Sequence, residues 1–361
     1  LILFILVPVF LGGCGDEHKL SSQSSPTPAP VSTSSSLIDV ESVFRSYYFE
    51  SEYILSSSAY LGVKDYVNAY HVFSKDIYTR FYNRVDLDEV ETTLSTDETM
   101  FVHLLGNVGY ISFDRFVEGT ANRVSLAVKS LVNSGAGSLI LDLRLNGGGF
   151  PGECSQLADF FTVRFSSPFP IYSTISSGSM DGTNSTFTLG TTGNQHGHEQ
   201  YFDSSNMVVL TSALTASAAE IFVAALKYYG ESIVIGSNTF GKSRMVFFNR
   251  MDTSDGYEMT VSRIIHADGV DREGSGISPD VETSAPFTEA FRRLSGYQAW
   301  IPEDPLVSDF GLNAAALPLM YDQAYWRSDQ YQAAFKALCP GIRILEPGSM
   351  CEGFFPGVKR R

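Results

Sequence analysis

The 361-residue chain is short of positive charge, with 25 Lys and Arg against 40 Asp and Glu and a formal net charge of −15. A surface with that excess of carboxylates repels phosphate backbones instead of displacing their counterions, which argues against a nucleic-acid partner. Cysteine is scarce as well. The four Cys, at 14, 154, 339 and 351, are too few for a disulfide scaffold and lack the CxxC spacing of a zinc site. None of the six His (18, 71, 103, 196, 198 and 266) lies in an HExxH pattern, and His196-Gly197-His198 has no third ligand beside it. No metal or other cofactor is expected. A G-x-S-x-G turn is missing, so an α/β-hydrolase has no nucleophile elbow here. What is present is an ordinary globular composition, 43% hydrophobic and 18% charged, with chain enough for about two units of roughly 150 residues.

Residues 1–11 read LILFILVPVFL, an apolar run shorter than the roughly 20 residues that cross a bilayer. Its length suits the h-region of a secretion signal, with an n-region and initiator Met expected ahead of Leu1. Leu11-Gly12-Gly13-Cys14 resembles the bacterial lipobox, which implies lipidation at Cys14. The alternative is a plain apolar segment that happens to end in Cys. Residues 21–36, SSQSSPTPAPVSTSSS, follow as a Ser/Pro/Thr tether unable to form a core. Anchor, spacer and body in that order predict a membrane-anchored lipoprotein of the cell envelope, facing the periplasm. In that oxidising space Cys339 and Cys351 either pair or remain two buried thiols.

Further along, Leu37 to Tyr82 carries apolar residues at helical spacing and reads as a helical region. Met100 to Phe116 reads as two short strands broken at Gly106-Asn107. Val124, Ala127, Val128, Leu131 and Val132 mark a helix stopped by Gly135, and Ser138 to Leu143 is a continuous apolar run of the kind covered on both faces. Helix and buried strand alternate again through Leu157 to Phe161, Met207 to Leu210, Ala216 to Tyr229 and Ser232 to Gly236, then two strands follow at Met245 to Asn249 and Tyr257 to Ile265. The fold class is therefore α/β. Pro168 to Ser205 is a polar insertion of undetermined hairpins, and mixed helix and loop follow Val281.

Three segments carry chemistry. Asp142 to Gly149, DLRLNGGG, ends a strand in three glycines, which can turn backbone N–H groups toward one point without an intervening Cβ. A tight strand-to-helix turn explains it equally well, and no Gly-Lys-Ser/Thr follows it at P-loop spacing. Thr215 to Glu220, TASAAE, opens a helix after a buried strand and offers Ser217 as an accessible nucleophile among small residues. Taken alone it is a capping box. Thr239-Phe240-Gly241-Lys242 leaves a strand end, where a Lys is ordinarily a solvated charge.

Taken together, D-L-R-x-N-x-G-G, T-A-S-A-x-E and T-F-G-K, with Ser217 and Lys242 separated by 25 positions, closely resemble the carboxyl-terminal processing (tail-specific) proteases. Gly276-Ile277-Ser278-Pro279-Asp280-Val281 resembles that family's G-I-x-P-D-V segment, and Tyr78-Thr79-Arg80-Phe81 its Y-T-R-Y stretch. The resemblance implies a spiral ββα core akin to the crotonases and Clp proteases. It also implies a Ser/Lys-dyad serine endopeptidase acting on polypeptides. Ser217 is then the nucleophile and Lys242 the base, with Gly149 or Gly148 and Ala218 as oxyanion donors and Thr239 and Glu220 in support. Glu220 is expected to orient the Lys242 loop by hydrogen bonds and not by an ion pair, because a bare carboxylate would favour the ammonium. Residues 82–108 leave no room for the PDZ domain many relatives carry, and Tyr228 stands where some carry Asp. The rival readings are a non-catalytic fold binding apolar ligands and a structural lipoprotein. The expected divisions are 1–14 signal and lipobox, 15–36 tether, 37–99 helical region, 100–285 peptidase core and 286–361 extension. Oligomeric state is left open.

Overall fold

The computed structural model describes residues 2–3, 37–49, 53–74, 76–95, 98–162, 169–175, 186–191, 201–251, 255–296 and 300–310. Two sheets organise them. The first contains β3 (Met100–Leu105), β4 (Val108–Phe113), β5 (Ser138–Asp142), β8 (Met207–Thr211), β9 (Ile233–Gly236) and β12 (Val281–Glu282), in the order β12-β9-β8-β5-β4-β3. All neighbours in it are parallel except the β3–β4 hairpin. The second is antiparallel, in the order β1 (Ile2–Leu3), β10 (Arg244–Arg250), β11 (Gly256–His266), β6 (Phe169–Ile175) and β7 (Thr186–Thr191), with β2 (Arg80–Tyr82) also on β11.

Continuous apolar strands result because the parallel sheet is covered on both faces. Ile111, Leu139, Leu141 and Val209 share one cluster with α4 (Thr120–Asn133), α5 (Pro151–Phe161) and α6 (Ala218–Tyr228). Their chain neighbours Tyr110, Ile140, Val208 and Leu210 turn the other way onto Phe287 and Phe291 of α7 (Pro286–Ser295). A one-residue slip of any strand would exchange the two sets. Ile171 of β6 and Ile264 of β11 join the α4–α6 cluster, so the sheets share one core.

The helical region places α1 (Leu37–Tyr47) and α2 (Val63–Phe73) against β10 and β11, where Phe44, Tyr66 and Tyr70 pack with Phe247, Tyr257 and Met259. It is not wholly helical. Residues 80–82, expected within it, form β2, whose register sets Tyr82 opposite Gly256 and Arg80 opposite Glu258. Three residues are too few to show a period of two, and only pairing with β11 makes them a strand. The helix α3 (Arg84–Ser95) follows, and in the polar insertion β6 and β7 form an antiparallel hairpin. Past Val281 the chain adds α7 and the short α8 (Pro305–Phe310).

Candidate active site

Three neighbouring parallel strands, β5, β8 and β9, release their loops at the same sheet end, the place where open α/β sheets gather functional groups. Backbone bonds tie these loops together. Ala216 N–H donates to Asn146 O (3.1 Å) and Phe240 N–H to Thr215 O (2.9 Å). Thr215 Oγ1 donates to Leu143 O (2.8 Å), and Ser212 Oγ to Arg144 O (2.5 Å). The DLRLNGGG, TASAAE and TFGK segments thus form one unit.

Ser217 stands at the N-cap of α6 with φ 56° and ψ −121°, the one non-glycine residue with positive φ among those described. An L-residue held there stores strain of about 1–3 kcal/mol, which persists only where surrounding contacts impose it. Glu220 caps the Ser217 N–H as in one half of a capping box, while its own N–H donates to the Ser217 carbonyl at 2.8 Å. A cap alone does not require this backbone. Gly148, at φ 104°, packs against the strained residue so closely that an added Cβ would fall 2.7 Å from Ala216 O and 2.9 Å from Ala218 N.

Glu220 is fully buried and accepts four hydrogen bonds. Its Oε1 takes Thr239 Oγ1 (2.5 Å) and Gly241 N–H (2.8 Å), while Oε2 takes Ser217 N–H (2.9 Å) and Lys242 N–H (2.8 Å). A single carboxylate oxygen therefore holds the backbones of Ser217 and Lys242 side by side. Burial pushes the Glu220 carboxyl up to about 7 against the opposing pull of these bonds. Thr239 is clamped further by the 276–281 segment, since its N–H donates to Ile277 O (3.1 Å) and its Oγ1 accepts Ile277 N–H (2.7 Å).

Lys242 is buried, not the solvated strand-end charge of the ordinary case. Gly236 to Ser243 also reads G-x-x-x-x-G-K-S, the spacing of a phosphate-binding loop. The structure gives it another use. It runs into β10 where a P-loop runs into a helix, and carboxylates occupy its amides: Glu220 takes those of Gly241 and Lys242, and Glu273 Oε2 takes that of Ser243 (2.8 Å).

The two glycine candidates separate. Gly148 N–H donates to Asn146 Oδ1 at 2.9 Å, so what Gly148 supplies is space and not a donor. Gly149, at φ 127°, sits in a parallel bridge with Phe116 whose hydrogen bonds run through Gly148 O and Phe150 N–H. Among the described residues neither Gly149 N–H nor Ala218 N–H has an acceptor. Asn146, named in sequence only as part of the motif, fixes this turn: it is fully buried and its Nδ2 donates to Phe113 O at 3.1 Å.

Residues 107–283 match the family model described as Peptidase family S41. This stretch, just under half of the chain, is therefore similar to peptidase family S41. Similarity to curated proteins is broader than that domain. The chain is 27% identical over 209 residues to the carboxy-terminal processing protease CtpA of Bacillus subtilis (strain 168), covering 56% of this chain and 42% of that protein. It is 28% identical over 227 residues to the "Probable CtpA-like serine protease" of Staphylococcus aureus (strain N315), covering 62% and 43%. It thus spans less than half the length of these relatives. In fold it resembles the photosystem II D1 C-terminal processing protease, with TM-score 0.50 at 16% identity, covering 80% of this chain and 97% of the other.

Two residues outside the S41 domain reach its site loops. Asp304 binds Arg144 at 2.7 Å, and that fully buried guanidinium also pairs with Asp142 at 2.5 Å. Tyr78 meets Lys242 and Glu273. No sequence signal marks Asp304, and Tyr78 stands in the sequence only as the start of the Tyr78–Phe81 stretch, because both contacts join distant parts of the chain. His103 and His266 are strand residues. His103 pairs with Asp309, and His266 Nε2 lies 3.0 Å from Ser243 Oγ, with burial pushing the imidazole down to about 4. Cys154 is a buried free thiol in α5. Cys14, His196, His198, Cys339 and Cys351 lie outside the described residues. Among the described residues no His, Cys, Asp and Glu converge as a metal site, and no helix is long and apolar enough to cross a membrane.

Proposed function

We propose that this chain is a serine endopeptidase in which Ser217 is the nucleophile and Lys242 the general base. The observation that carries the reading is Glu220 Oε2, which accepts the N–H groups of both residues and so builds them into one site. In the first step the neutral Lys242 amine takes the proton of Ser217 Oγ as that oxygen attacks the scissile carbonyl. The developing oxyanion is received by Gly149 and Ala218 N–H, preorganised donors of a kind worth about 2.7–4 kcal/mol each. The Lys242 ammonium returns its proton to the leaving amine, and a water, deprotonated by the same amine, hydrolyses the acyl-enzyme. Burial of Lys242 supports its role, because a low-dielectric site penalises the charged ammonium relative to the neutral amine. The kinship with carboxy-terminal processing proteases supports polypeptides as substrates.

The decisive experiment is labelling with a Ser-reactive fluorophosphonate probe followed by peptide mapping. The modified residue is expected to be Ser217, and label on another Ser, or none while peptides are still cleaved, would overturn the assignment. As part of the same reading, Cys14 anchors the protein to the cell envelope through a thioether-linked lipid, supported by Leu11-Gly12-Gly13-Cys14 and the polar tether behind it. Cys14→Ser should shift the protein from the membrane to the soluble fraction, and an unchanged distribution would refute the anchor.

A further inference from the structure

The loop bearing Lys242 is held from two sides. Glu220 of α6 takes its Gly241 and Lys242 amides, and Glu273, from the turn after β11, takes that of Ser243. Glu273 Oε1 in turn accepts the phenol of Tyr78 at 2.8 Å. Tyr78 itself is buried and its backbone is fixed, its N–H donating to Asp76 Oδ1 at 2.9 Å while Asp76 also accepts Thr260 Oγ1 at 3.1 Å from β11. The ring consequently has one placement, and Lys242 Nζ lies 4.8 Å from its centroid.

We infer that Tyr78, contributed from outside the S41 domain, is a positioning residue for the Lys242 amine: its ring face holds Nζ and sets the pH at which the base becomes available. The inference rests on Lys242 being that base. A ring face attracts the ammonium and not the neutral amine, so it counteracts the discharge that burial favours. The titratable and charged groups near this loop among the described residues include Glu220 and Glu273, His266 and Arg272 behind Ser243, Arg244 and Asp271 beside Glu273, and Asp76 at the Tyr78 backbone. None of these is altered by changing the ring alone. Tyr78 also ties base availability to the seating of the 76–82 segment, so an N-terminal region that lifts off β11 takes the ring with it.

The test replaces Tyr78 with Phe and then with mono-, di- and trifluorinated phenylalanines, which weaken the negative ring face at nearly constant shape. The acid limb of kcat/KM for a fluorogenic peptide should move to lower pH with each fluorine, by about one unit in total. Tyr78→Phe keeps the ring and loses the bond to Glu273, so its melting temperature should fall and it serves as the parent against which each fluorinated limb is compared. Equal limbs across the fluorinated series would overturn the inference, whatever the rates, since a purely structural ring changes rate without moving the limb. Ser217→Ala and Lys242→Ala run alongside. Activity surviving in either would refute the dyad itself, an outcome separate from failure of the fluorine series.

Discussion

A Cβ added to Gly148 would stand 2.8 Å from the Cβ of Ser217. The approach places the glycine turn against the strained serine, and Gly148, at φ 104°, has the backbone freedom to make it. Gly148→Ala therefore meets two penalties, backbone strain of about 1–2 kcal/mol and overpacking of about 1–3 kcal/mol. Peptide cleavage should fall at least about 100-fold, because Ser217 and the Gly149 amide shift relative to each other. Gly152→Ala, with nothing within 4 Å of its added Cβ, is the control and should cost little in either assay. A Gly148→Ala enzyme with wild-type turnover would show that the close approach has no part in catalysis.

The dyad makes a sharper prediction. Ser217→Ala and Lys242→Ala should each abolish proteolysis while the melting curve stays cooperative. The double variant should be no worse than either single one, since members of one catalytic unit are not additive. Lys242→Arg should be inactive too, because a guanidinium does not deprotonate near neutral pH. Kinetics on a single fluorogenic peptide decide all four. Additive losses would mean that the two side chains act independently.

How far the sequence foretold this arrangement depended on how local each signal is. Paired apolar runs such as Ser138–Leu143 and Met207–Leu210 announced buried strands because both faces of the parallel sheet are covered, a condition written into consecutive residues. Ser217, Glu220 and Lys242 were legible because they fall in short segments flanking strand ends. Which glycine gives up its N–H was not legible: Gly148 and Gly149 differ through Asn146 Oδ1 and the bridge to Phe116, contacts made only after the turn closes. The partners of Arg144 illustrate the same limit. Asp142 lies two residues away in sequence, whereas Asp304 lies 160 away and no local pattern marks it. The 80–82 strand was hidden because it owes its conformation to β11 and not to its own residues.

Asn146 offers a test of the oxyanion turn that leaves the dyad untouched. Its amide donates to Phe113 O and accepts from Gly148 N–H. In Asn146→Asp the donor becomes an acceptor facing the Phe113 carbonyl, and two oxygens in a buried site repel. Stability should drop by about 1–3 kcal/mol, the cost of a buried polar group left without its partner. For catalysis the expected signature is a kcat lowered about 10- to 100-fold with KM little changed, because amides in the proposed oxyanion role of Gly149 and Ala218 act on the transition state. A loss confined to KM would place Asn146 in substrate binding instead.

The last prediction concerns Glu220 and pH, where activity and stability should move in opposite directions. Its carboxyl titrates at about 7 in the fold against an ordinary 4.5. The folded state therefore holds this proton more tightly than the unfolded chain. The group's stabilising contribution is complete below about 4.5 and is lost as pH rises to about 7. Catalysis requires the reverse. Only the ionised carboxylate can accept all four donors, from Ser217, Thr239, Gly241 and Lys242. On acidification through about 7 the proton it takes up must displace one of them, loosening the loop that carries the base. The acid limb of kcat/KM should therefore be steeper than one proton allows, with Glu220 and Lys242 both contributing. Glu220→Gln matches the shape but turns an NH2 group toward N–H donors, so it should lower kcat/KM on the order of 100-fold. In that variant the residual acid limb should fall to a slope of one, and the melting temperature should depend less on pH between 4.5 and 7. Chemical denaturation across that range, beside a pH–rate profile, reads both effects. A variant with the wild-type limb slope and the wild-type pH dependence of stability would show that Glu220 does not titrate there.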